Sequence, residues 1–145
     1  MKKTLILLAA ILGFAVVASA QPRALGIRAG YGGELSYQHS LGNNFAEFDL
    51  GWYANGFDIA GICDFILAGT GEVNLYAGPG ALLGFYNHPD GTSGLNVGVC
   101  GQLGVEWNFP AVPLQLSIDW RPVFLFMNNG GFRYESFGLG LRYRF

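Results

Sequence analysis

Few residues in this chain are suited to acid–base or nucleophilic chemistry. Histidine occurs twice, at His39 and His88. The segment His88-Pro-Asp-Gly-Thr-Ser93 brings an imidazole, the Asp90 carboxylate and the Ser93 hydroxyl within six residues. Those are the groups a hydrolase or acyl transferase uses as base, orienting acid and nucleophile. Pro-Asp-Gly is also ordinary turn chemistry: proline presets φ at the first corner, and Asp and Gly tolerate the second. We read the segment as a turn. His39 and Ser40 are adjacent in a predicted strand, where neighbours point to opposite faces, so they cannot share a site. No His, Cys, Asp and Glu cluster has metal-ligand spacing, so no metal and no cofactor are expected. Gly78-Pro-Gly80 lies inside a predicted strand, not before a helix, which excludes a phosphate loop. Cys63 and Cys100 have opposite parity in strands separated by a third, so their side chains fall on opposite sides of a wall, too far apart for a disulfide.

The elements that must position these residues are strands. Apolar residues recur with period two, and Gly, Asn or Pro clusters interrupt them. The pattern predicts eight antiparallel strands at 23–31, 33–41, 45–53, 56–65, 72–86, 94–109, 114–126 and 132–145. Every break between them carries a residue suited to tight reversal. Outward positions are bulky: Leu95, Val97, Val99, Leu103, Val105, Trp107 and Phe109 in the sixth strand, then Leu114, Leu116, Ile118, Trp120, Pro122, Phe124 and Phe126 in the seventh. Inward positions hold glycines and charges. Aromatic residues gather at both strand ends, as the two interfaces of a bilayer require. The fold class is therefore all-β, an eight-stranded antiparallel transmembrane β-barrel. An open edge in lipid would strand backbone polar groups, so the sheet must close.

Residues 1–20 have the parts of a cleavable signal peptide: Lys2 and Lys3, an apolar run from Leu5 to Val17, and Ala18-Ser19-Ala20. The barrel domain is then 21–145. Beyond Lys2 and Lys3 the chain has six arginines, no lysine and ten acids, a formal charge of −4. That balance argues against nucleic acid as a partner, which needs a basic patch.

Inward parity gathers Arg28, Glu47, Asp49, Gln102, Asp119 and Arg121 near mid-height, with Asp64, Glu72, Glu106, Arg142 and Arg144 lower down. The interior of an eight-stranded barrel is just wide enough for side chains to fill. These charges are expected to brace one another in a lumen network, not to line a proton or ion path.

The terminal Gly138-Leu-Gly-Leu-Arg-Tyr-Arg-Phe145 and the Asp119-Trp-Arg-Pro122 of the penultimate strand resemble small outer-membrane β-barrels of the OmpA-domain, OmpX and OmpW-like group. The resemblance spans essentially all of residues 21–145. It implies location in the bacterial outer membrane, outer-membrane lipids as surroundings, and the barrel-assembly machinery and periplasmic chaperones as partners during biogenesis. Leu139, Leu141, Tyr143 and Phe145 would form the assembly signal. It places both termini in the periplasm and implies a monomer with a structural or envelope-maintenance role, not an enzyme. Two other activities occur among such barrels: a porin-like conduit or binding site for a small apolar solute, and lipid modification, for which the loop containing His88 would be the site. Short loops depart from the adhesin pattern. Fold analogy alone does not choose among these.

Overall fold

In a computed structural model the alternating segments form one antiparallel sheet that closes on itself. The structure describes residues 6, 22–30, 32–53, 56–87, 93–126, 131–134 and 136–145. The expected signal peptide lies outside them apart from Ile6, as do His88 and Asp90.

Ten extended segments make eight staves. They are β1 Pro22–Ala29, β2 Gly33–Leu41, β3 Asn44–Tyr53, β4 Gly56–Gly69, β5 Val73–Asn87, β6 Ser93–Asn108, β7 Leu114–Trp120, β8 Val123–Leu125, β9 Phe132–Arg133 and β10 Phe137–Arg144. β7 and β8 both pair with β6 in one continuous register, so they are two parts of the seventh stave, parted at Arg121 and Pro122. β9 and β10 are likewise two parts of the eighth. β10 pairs with β1, and the cylinder closes.

The fourth stave continues to Gly69, four residues past the expected end at 65. A register shift between Ile66 and Ala68 carries it forward. The reversal then falls at residues 70–72, where the Thr70 N–H donates to the Val73 carbonyl at 3.0 Å and Gly71 takes φ +92°. Glu72 consequently lies exposed in the turn. Its expected inward position is corrected, because the longer stave moves the corner onto it.

Pairing fixes the stagger of the barrel. From Arg28, rungs run through Gly140, Ser117 and Glu106 to Asn74. In the other direction they run through Glu34, Gly51 and Asp58 to Gly84. Both routes end on β5, ten residues apart. Such a stagger over eight strands demands strong tilt, within the usual range of about 35–45° for barrels.

Faces follow parity. Ile27 and Ile118, pointing outward, are 62% and 61% exposed, whereas Glu47 and Asp119, pointing inward, are 0% and 1% exposed. Cys63 is exposed, Cys100 is buried, and both are free thiols. In detergent, Cys63 is expected to react with a small maleimide in the folded barrel and Cys100 only after denaturation. Mass analysis of labelled peptides checks this, and equal labelling of both in the folded state would contradict the two faces.

Candidate functional site

The concentration of charge in this molecule is its lumen. The end where β1 begins and β10 finishes is called basal here, the other apical. Near the apical end of the first stave, Arg28 donates from Nε to Asp119 Oδ2 at 2.9 Å and from Nη1 to Glu34 Oε2 at 2.7 Å. At mid-height Arg121 donates through Nη2 to Asp49 Oδ2 at 2.6 Å and to Glu47 Oε1 at 2.9 Å. Its Nε reaches Gln102 Oε1 at 2.8 Å, and Nη1 stands 3.6 Å from Glu34. The Gln102 amide passes the network on to Asp64 Oδ2 at 3.0 Å. Below, Arg142 donates to Ser36 Oγ at 2.9 Å and Ser117 Oγ at 2.7 Å, with Nη2 3.3 Å from Glu47. At the base Arg23 clasps Glu106 and lies 4.2 Å over the Phe45 ring, which packs edge-on against Tyr76.

The structure thus brings Arg28, Glu47, Asp49, Asp119, Arg121 and Arg142 into one connected interior, with Glu106 at its foot. Arg144 stands apart. Its Nη2 donates to the backbone carbonyls of Phe109 at 2.6 Å and Val112 at 3.3 Å, so it buttresses the basal turn. Leu139, Leu141, Tyr143 and Phe145 all point outward and are about half exposed or more. His39 has the outward parity of Tyr37, whose hydroxyl lies 2.8 Å from Nδ1, but its side chain is buried. Ser40 reaches only the Gly42 carbonyl, at 3.4 Å. Ser93 pairs with Asn87 across the β5–β6 hairpin.

Arg23, Glu34 and Asp58 are among the groups missing from the sequence reading. Arg23 has outward parity relative to Arg28, but an irregularity in the β1–β2 pairing between Pro22 and Ala24 turns it inward. A guanidinium at a lipid-facing position was the available clue, since bulges re-aim side chains. Glu34 and Asp58 have plain inward parity. They meet Tyr53 and Tyr86 at the apical mouth, with Tyr53 Oη 3.1 Å from Glu34 and Tyr86 Oη 3.2 Å from Asp58.

Glycines make room for this packing. A Cβ on Gly138 would sit 2.3 Å from Arg28 Cζ and 2.4 Å from Nη2. A Cβ on Gly104 would meet the Tyr76 ring at 2.6 Å. The apical mouth holds a cavity of about 20 Å³, bordered by Arg28, Glu34, Tyr53, Asp58, Arg121 and Arg133 among others. That is room for about one water. Among the described residues no group of three or more His, Cys, Asp or Glu could hold a metal ion. No protein-family model, no curated protein and no solved structure matches the chain.

Two outcomes follow from this packing. Arg121→Ala leaves Glu47 and Asp49 buried beside a missing cation, and stability should fall by roughly 3–5 kcal/mol. Adding Asp49→Asn should recover part of the loss. Gly138→Ala pushes the Arg28 guanidinium off Asp119 and should cost roughly 3 kcal/mol, whereas Leu139→Ala, which changes only the outer face, should cost less than half as much. Urea unfolding in detergent micelles measures all four.

Proposed function

We propose that this chain is an integral outer-membrane β-barrel with a structural or envelope-maintenance role, its lumen filled by its own side chains. One observation carries the membrane reading. Among the described residues, the wall between the two rims presents no charged side chain outward, while large apolar residues stand exposed around it, including Leu35, Phe48, Ile59, Leu83, Val99 and Leu141. An aqueous surface would favour charge there, and contiguous apolar area on this scale marks contact with lipid or protein. The aromatic pairs Phe57 with Phe85 and Phe124 with Phe126 lie toward the apical rim, and Trp107 with Phe109 and Tyr143 with Phe145 lie toward the basal rim. This arrangement fits the two girdles of a transmembrane barrel.

The closed-lumen reading rests on the crossing guanidinium groups. Arg121 reaches from the seventh stave to Glu47 and Asp49 on the third, so one side chain spans the bore. The phenyl ring of Phe45 and the phenol of Tyr76 occupy the basal bore with Arg23. Such packing argues against a continuous aqueous column, and it supports a wall component over a porin-like conduit. Single-channel recording in planar bilayers should show no steady open level. Fractionation of an expressing Gram-negative host should recover a heat-modifiable form in the outer membrane. A sustained conductance would defeat the filled lumen, and recovery of the folded form as a free periplasmic protein would defeat the membrane assignment.

A further inference from the structure

The two ends of the barrel differ in shape. With a stagger of ten over eight staves, a horizontal ring slips against the rungs by about 1.25 residues per stave. The ring through Arg28 therefore passes through Leu35, between Phe48 and Asp49, then Ile62, Pro79, Gln102, between Asp119 and Trp120, and Leu139. Measured from this ring, the basal limit is nearly level: Leu41, Leu67, Val73, Leu114 and Phe145 all fall about five or six residues below it. The apical limit is not. On the fifth to seventh staves, exposed apolar residues continue to Phe85, Leu95 and Phe126, about six or seven residues above the ring. The first stave ends at Ala29, one residue above, and the second begins at Gly33, about two above. At about 2.4 Å of height per tilted residue, the apolar wall is roughly 30 Å tall on one side and its rim stands roughly 10 Å lower at the β1–β2 turn.

The low rim coincides with a second feature. The mouth of the lumen lies at the level of that turn, because Arg28 and Glu34 line it from the first two staves. Tyr53, Asp58, Arg133 and Ser136 complete the polar border. On the fifth to seventh staves the polar interior is screened from the hydrocarbon by a wall of Leu83, Phe85, Leu95 and Phe124. Beside the β1–β2 turn the described outward apolar side chains stand lower: Trp52, paired with Gly33, lies about three or four residues above the ring, and Phe137 about two.

We propose that this notch holds the apical leaflet down, bringing lipid headgroups to the level of the lumen's mouth. The inference rests on the wall facing lipid, as argued above. A bilayer meeting a hydrophobic wall shorter than its own core thins locally. The barrel then deforms the leaflet on one side only, and the surface it presents to its partner, the lipid, has a direction.

Ala29 and Ala81 test this directly. Both point outward and are exposed, and they stand one and two residues above the same ring on opposite sides of the barrel. In a Cys63→Ser, Cys100→Ala background, Ala29→Cys and Ala81→Cys are each labelled with bimane. The proteins are reconstituted in phosphatidylcholine vesicles carrying a nitroxide on either the headgroup or a deep acyl carbon. Heat-modifiable migration confirms that each variant has folded. The expected result is a reversal: the Ala29→Cys label is quenched more by the headgroup nitroxide, and the Ala81→Cys label more by the deep one. Stronger quenching of both by the deep nitroxide would show a level band and overturn the notch while leaving the membrane reading intact. Quenching of neither by any lipid would overturn both.

Discussion

Closure of the sheet with a stagger of ten is the constraint on which the rest of the molecule depends. It fixes the tilt, the tilt fixes the bore, and the bore of an eight-stranded barrel leaves space for side chains and little more. Every inward residue must then pack against groups from across the cylinder. Arg28 meets Asp119 from six staves away in chain order, and Arg142 meets Ser36 from the opposite end of the sequence. The interior is a polar core that no local segment could build alone, because most of its hydrogen bonds join residues far apart in sequence.

That core reverses the usual arrangement of a globular protein. Buried charge is costly unless paired and hydrogen-bonded, and the arginines meet this condition by each engaging several partners. Arg121 serves Glu47, Asp49 and Gln102 together, and Arg142 serves two serine hydroxyls and stands close to Glu47. The planar guanidinium suits this role better than an ammonium, which presents no fork of fixed donors. The absence of lysine beyond Lys3 is consistent with that demand on the inside and with an outer wall whose described residues carry no charge.

The sequence made the two faces legible because parity is a strictly local property. Cys63 and Cys100, Leu139 and Gly140, Asp119 and Trp120 all fall where alternation puts them. Alternation fails where the ladder slips. Arg23 crosses to the inner face at an irregularity that pairing alone reveals. Glu72 leaves the lumen because the fourth stave outruns its apolar pattern, and Arg144 turns to the basal loop, where it donates to the carbonyls of Phe109 and Val112. The uneven apical rim was equally invisible. It follows from stave lengths combined with stagger, and stagger is a property of the closed sheet, not of any strand.

The break in the seventh stave shows how the wall keeps its bonding across a defect. Proline lacks the N–H that a ladder rung needs, and in lipid an unmade rung is expensive. At Pro122 the carbonyl still accepts from Gly101 N–H at 3.0 Å, so the β6 side keeps half of the exchange. On the other side Arg121 N–H donates to Ser136 at 2.7 Å, and the Trp120 indole donates to the Tyr134 carbonyl at 2.6 Å. The backbone is therefore held by individual bonds instead of a regular ladder over two residues. Those two residues carry the guanidinium that spans the bore. Register with β6 is unchanged across the break, so Arg121 keeps the inward parity of Asp119 and Val123, and the wall holds its place while the guanidinium makes its contacts with Glu47, Asp49 and Gln102.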